Sequence, residues 1–168
     1  DWIKVMATGG SMTRGTNTLA AQYSHDELHA VVEEAHRLRR RVAAHCHGTA
    51  GIRVAVEAGV DCLEHCSFAG RGGIDRDDDL IARIAEVGAI VSPTISIGYR
   101  RWPDDGRYAR RSVLTRRLFE GGCKVIASTA CGIPQVPHNE LAAGLEVLAD
   151  LGGLTPVATL KLATSTSA

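Results

Sequence analysis

The chain has 168 residues, 45% of them hydrophobic and 23% charged, with 19 Lys and Arg balanced by 19 Asp and Glu. That composition suits a globular domain with one core, and without basic excess there is no electrostatic reason for a nucleic-acid or acidic-membrane partner. No apolar run approaches the roughly 20 residues of a membrane span, and Asp1-Trp2-Ile3-Lys4 does not lead into a signal-peptide core, so a cytoplasmic protein is expected.

Five short apolar or β-branched runs alternate with amphipathic stretches, the pattern of a parallel α/β fold. The runs are Trp2 to Ala7, Arg41 to Cys46, Val60 to Cys66, Ala89 to Thr94 and Cys123 to Ser128, all read as buried strands. Between the first two, Ser24 and Glu27 form a capping box, and Leu28, Val31, Val32, Ala35 and Leu38 recur at helical spacing. Further helices are expected from Thr49 to Ala58 before Gly59, from Asp78 to Val87 before Gly88, from Tyr108 to Glu120, and from His138 to Leu151. A last one starts at Thr155 with Pro156 in its first turn. The odd set of five cysteines, Cys46, Cys62, Cys66, Cys123 and Cys131, lies in or beside apolar runs and reads as buried reduced thiols.

The two long connections, Thr8 to Tyr23 and Ile95 to Arg107, both follow strands, so they sit at strand carboxyl ends, where barrels of this alternation place their chemistry. A complete eight-stranded barrel needs about 250 residues. Five strand-helix units therefore suggest part of a barrel, whose open edges call for a missing segment or a second copy.

Lys4 stands in the middle of an apolar strand, where an unpaired ammonium is costly to bury. Either it reaches solvent or a carboxylate, or it has a functional role. His45 and His47 flank Cys46, so period-two geometry points both rings to one face, and His65 ends the next strand. Imidazoles on adjacent parallel strands can converge on one metal ion; singly, each could equally be a hydrogen-bonded core or loop histidine.

Ile3-Lys4-Val5 before Gly9-Gly10, Val42-Ala43-Ala44-His45-Cys46-His47-Gly48, Leu63-Glu64-His65, Ser92-Pro93-Thr94 and Ala127-Ser128-Thr129-Ala130-Cys131-Gly132 follow one another in an order that resembles the metal-dependent amidohydrolase superfamily. The prolidase-like and imidazolonepropionase-like members are the nearest in pattern, and the resemblance runs on through His138-Asn139-Glu140-Leu141 to Leu162-Ala163-Thr164. It implies a (β/α)8 TIM barrel of which residues 1–168 supply strands four to eight, the upstream strands and a small β-sandwich being absent. It also implies that Lys4 is carboxylated and bridges two metals, most simply zinc, with His45 and His65 binding the second. The expected chemistry is hydrolysis of an amide or other C–N bond in a small peptide-like substrate.

Two departures accompany the resemblance. The family's His-x-His pair of strand one has no counterpart, and Ala130 stands where the family has the Asp that binds metal and carries the proton. The chain as written is therefore expected to be inactive or nearly so. The alternative is a non-catalytic half-barrel that self-associates or pairs with another chain. Arg53, Tyr99 and His138 lie near predicted strand ends as candidate substrate contacts, and Arg100, Arg101, Arg110 and Arg111 could clamp a carboxylate. His25, His29 and His36 share a helix face that reads as solvated, Cys62 and Cys66 read as small buried hydrophobes rather than a zinc knot, and the glycines at 9–10 and 70–73 read as turns.

Overall fold

The computed structural model describes residues 1–134 and 136–168. Its strands are β1 (Trp2–Met6), β2 (Arg41–Gly48), β3 (Cys62–Gly70), β4 (Gly73–Ile74), β5 (Ile90–Ser92) and β6 (Lys124–Val125). The helices are α1 (His25–Arg37), α2 (Thr49–Glu57), α3 (Asp78–Val87), α4 (Arg107–Glu120), α5 (Leu141–Gly152) and α6 (Pro156–Ala163). Five strands pair in parallel in the order β1-β2-β3-β5-β6, and β4 folds back antiparallel on the end of β3. Successive parallel strands joined through helices form the open, curved half of a strand-helix barrel.

The helix ends follow the expected chemistry. The Ser24 side chain accepts from Glu27 N–H while the Glu27 carboxylate accepts from Ser24 N–H, closing the box at the start of α1. Asp77 caps α3, which ends on Gly88 in the left-handed region at φ 72°. Thr155 caps α6 ahead of Pro156.

Register sorts the side chains into two layers. Ala44 pairs with Leu63, and Leu63 with Val91, and these residues bury against Leu28 of α1, Ile52 of α2, Ile84 of α3 and Leu118 of α4. The opposite layer, facing the barrel interior, runs from Lys4 beside Ala43, through His45 beside Glu64, to Ser92. A second core of Ile95, Val147, Leu148 and Leu151 forms under α5.

Several boundaries differ from the sequence expectation. β3 runs to Gly70 instead of stopping at Cys66, because the Ala69–Gly70 segment finds a partner in β4. β5 and β6 are shorter than expected, since their continuations turn into hydrogen bonds at the mouth. The connection after β5 contains a 3₁₀ turn, Ile97–Arg101, and α5 begins at Leu141 rather than His138. Cys131, in a turn after β6, is exposed, against the expectation of buried thiols throughout; Cys46, Cys62, Cys66 and Cys123 are buried and free.

The connection after β1 lies across the strand ends. Thr8 N–H donates to His45 O at 3.2 Å, and Gln22 N–H returns to Ala7 O at 2.9 Å. This roof passes so close that a Cβ on Gly9 would stand 2.6 Å from Asn17 N, and one on Gly48 2.6 Å from Leu19 O. Glycine is required at both by backbone approach. No helix among the described residues is long and apolar enough to cross a membrane.

Candidate metal centre at the strand ends

His45 and His47 leave β2 two residues apart, so both rings enter the barrel mouth. His65 reaches it by a different route. In register it pairs with Cys46, which is buried on the helix side, so plain alternation would send the His65 ring under the helices. Instead His65 and Cys66 adopt left-handed backbone, φ 66° and 44°, which turns the imidazole inward.

The three rings gather with centroids 4.7 Å apart for His45 and His47, and 4.5 Å apart for each pair with His65. One nitrogen from each lies within 4.8 Å of the others. Each ring also has a partner: His45 Nε2 lies 3.4 Å from Gly9 O, His47 Nδ1 3.0 Å from Ser67 Oγ, and His65 Nδ1 2.7 Å from Thr94 Oγ1. Burial, and then the neighbouring rings, push His65 down to about 3, with the Lys4 and Arg111 charges adding to the effect. Burial, followed by His45 and Arg111, pushes His47 down to about 4, and burial lowers His45 as well. Three neutral imidazoles at neutral pH, with ring nitrogens converging, are a donor set that fits a divalent transition-metal ion.

Arg111 of α4 sits directly behind this cluster. It is 2% exposed, and its Nη donates to His65 O at 3.1 Å and to Pro93 O at 3.2 Å, while its Nε has no partner among the described residues. The mouth opens into a cavity of about 620 Å³ lined by His47, His65, Tyr99, Arg101, Arg107, Arg110, Arg111 and Ala130, and no carboxylate is among its described lining residues. Tyr99 packs on Trp102 at 4.2 Å between ring centroids. Deeper in the barrel, Ser92 Oγ bridges the Glu64 carboxylate at 2.9 Å and Ser128 Oγ at 2.8 Å.

Residues 1–104 match the amidohydrolase family. The chain is 34% identical over 172 residues to ochratoxinase of Aspergillus niger, covering 97% of this chain and 34% of that protein. The A. niger ochratoxinase crystal structure superposes with a TM-score of 0.75 over 98% of this chain and 38% of its own. The chain belongs to the amidohydrolase family. A Xaa-Pro dipeptidase crystallised with methionine in its active site is 25% identical, with a TM-score of 0.80 over 99% of this chain and 42% of that one. This amidohydrolase chain thus spans about a third of the length of the curated relatives it matches, and its parallel sheet is part of a (β/α)8 barrel.

Of the residues singled out in the amidohydrolase sequence, the fold brings His45 and His65 together and adds His47, which the His-x-His spacing had already placed on the same face. Lys4 lies in the same interior layer with its side chain exposed, and its charge acts on both His45 and His65. Ala130 and Tyr99 line the cavity. Arg53 does not: it is on α2, paired with Asp77 at 2.5 Å. His138 is exposed outside the cavity lining, close enough that a Cβ on Gly132 would meet its Nε2 at 3.1 Å. His25 stacks on His29, whereas His36 turns to Asp61 at 2.8 Å, so the three helical histidines form no common site. By sequence, Arg111 reads as part of a candidate carboxylate clamp and Thr94 only as part of the Ser92-Pro93-Thr94 motif, so the bonds that each makes to the His65 segment are not foreseen there.

Proposed function

We propose that this chain is the part of a metal-dependent hydrolase that holds one side of its metal centre and grips the substrate. The parent activity would be cleavage of an amide or related C–N bond in a small, peptide-like substrate in the cytoplasm. His45 and His65 would hold a divalent ion, most simply zinc, with Lys4 contributing as a carboxylated lysine and His47 standing beside them. A divalent ion bound there would polarise a substrate carbonyl and acidify a water molecule. The observation that carries the proposal is the convergence of three imidazoles from two adjacent strands, two of which, His47 and His65, line a cavity that four arginines also line.

The arginines give the substrate a direction. Arg107 is paired with Asp105 at 2.8 Å, whereas Arg110 and the buried Arg111 bring positive charge to a lining that holds no carboxylate among its described residues, which favours a substrate with a carboxylate of its own, such as an N-acyl amino acid or a dipeptide. The apolar faces of Tyr99 and Trp102 offer a wall for its side chain. Ala130 contributes only a methyl group to the mouth, so no side chain there carries a proton to the leaving amine, and the chain as it stands would turn over slowly or not at all.

Plasma mass spectrometry of the purified chain tests the metal, and kinetics test the chemistry. In a longer chain that carries the upstream strands, Ala130→Asp should raise hydrolysis of N-acyl amino acids by about 10²- to 10⁴-fold. No hydrolysis of any N-acyl amino acid or dipeptide by that variant would sink the enzymatic reading. A second reading is favoured by β1, which ends the strand order and exposes Trp2 at 45%, Ile3 at 40% and Met6 at 38%. On it, a non-catalytic half-barrel pairs with a second copy, and a metal-free dimer in solution would be its signature.

A further inference from the structure

We infer that Thr94 is the positioning residue of the metal centre: its hydroxyl fixes the His65 ring with the hydrogen on Nδ1, leaving the Nε2 lone pair for the ion. The inference rests on the metal reading above and goes beyond it by assigning the tautomer and the group that sets it.

A threonine hydroxyl has one proton to give. Thr94 Oγ1 gives it to Pro93 O, 2.8 Å away, and the same oxygen lies 2.7 Å from His65 Nδ1. With its proton committed, Oγ1 faces the ring as an acceptor, so Nδ1 carries the hydrogen and the neutral imidazole keeps its lone pair on Nε2. An oriented ring of this kind is what outer groups supply to metal-binding histidines. His47 lacks such a fixed arrangement: its Nδ1 faces Ser67 Oγ, which has no second acceptor among the described residues, so that hydroxyl can either give or accept.

The backbone supports the assignment. Thr94 holds φ 51°, in the left-handed region, where a β-branched residue is a genuine outlier and glycine or asparagine would sit with less strain. What holds it there is specific. Thr94 N–H donates to Ser128 Oγ at 3.0 Å, and Ser128 is tied through Ser92 to Glu64. The buried Arg111 guanidinium meanwhile bonds the carbonyls of both His65 and Pro93, locking the two strained segments against each other. A strained position anchored from β3, β5, the segment after β6 and α4, with a hydroxyl aimed at a candidate ligand, is explained if that hydroxyl has work at the ring.

The test compares Thr94→Val, which keeps the shape and removes the acceptor, with Thr94→Ser, which keeps the acceptor. Cobalt(II) titration of the whole chain, followed by its visible absorption, reads the ion; ring nitrogen chemical shifts in the metal-free chain read the tautomer. Thr94→Val should weaken cobalt binding by about 10- to 100-fold and lose the Nδ1–H signature of His65, and Thr94→Ser should restore both. Unchanged affinity and tautomer in Thr94→Val would overturn the inference while leaving the metal reading intact. If Thr94→Val does not fold, the unsubstituted chain still decides, since an Nε2–H signature at His65 there overturns the inference without any variant. An unsubstituted chain that binds no cobalt overturns the metal reading, and the ring shifts then judge the tautomer alone.

Discussion

On the face of the sheet beneath the helices, Val42, Ala44, Cys46 and Leu63 are completely buried, and Val42, Ala44 and Leu63 keep regular parallel register, which shifts only beyond Cys46. At the strand ends that form the mouth, His65, Cys66, Phe68 and Thr94 hold positive φ, four of the five non-glycine residues that do so among those described, although the Cys66 and Phe68 side chains turn into the helix-side core. The helix side is a layer of nearly interchangeable apolar contacts whose energy scales with area. The mouth is a set of directed hydrogen bonds whose value lies in geometry. Strain has been concentrated where side chains must leave the strand period in order to meet.

Core truncation should break the two faces apart most plainly. Leu63→Ala removes a fully buried side chain from the core between the sheet and its covering helices, and should cost about 2–5 kcal/mol in denaturant unfolding. Cobalt affinity of the folded chain should not change. A parallel loss of affinity would mean the helix layer sets the mouth as well, and the division between the faces would fail. Arg111→Met sharpens the same division from the other side. It removes the guanidinium bonds to His65 O and Pro93 O, the latter still accepting from Thr94 Oγ1, for about 1–3 kcal/mol. Because those carbonyls belong to the strained segments, cobalt affinity should fall together with stability. Stability lost with cobalt binding intact would reduce Arg111 to a structural strut.

The difference between the faces also explains what the sequence could and could not disclose. Strand runs, the Ser24 and Glu27 box and the Gly88 stop are local patterns, and the helix-side layer follows directly from them. His45 and His47 were legible because they obey strand alternation, and the order of motifs supported the family. His65 was legible from its place at the end of the adjacent strand and from that order, although alternation alone would have turned it away from the mouth. The support that Arg111 and Thr94 give to His65 was not legible, for a related reason. One is a buried cation in a helix whose spacing looks solvated, the other a β-branched residue in a backbone region its type avoids. The continuation of β3 to Gly70 depended on its pairing with β4, a tertiary contact with no periodic signature.

The smallest effect expected is on the dependence of stability on pH, and its sign distinguishes the mouth from the surface. In the unfolded chain a histidine titrates near 6.5, whereas in the folded chain His47 is pushed down to about 4 and His65 to about 3. As pH falls from 7 to 5 the unfolded chain takes up protons that the folded mouth refuses, so stability present above 6.5 is progressively lost. Allowing for solvent screening of these part-exposed rings, the loss should be about 1–2 kcal/mol, or a few degrees in Tm for about this chain length. His25 works in the opposite direction, because the Asp26 side chain raises it, but it lies on the open surface of α1. The carboxylates of Glu27, Glu34 and Asp78, held low by their hydrogen bonds, add their own loss only once pH drops to the usual carboxylate range, which leaves pH 7 to 5 to the histidines. Thermal unfolding across that window should therefore show a downward slope that His47→Gln flattens and His25→Asn steepens slightly. A slope unaffected by His47→Gln would mean that this ring is charged as readily folded as unfolded, and the mouth would then be no different from the surface.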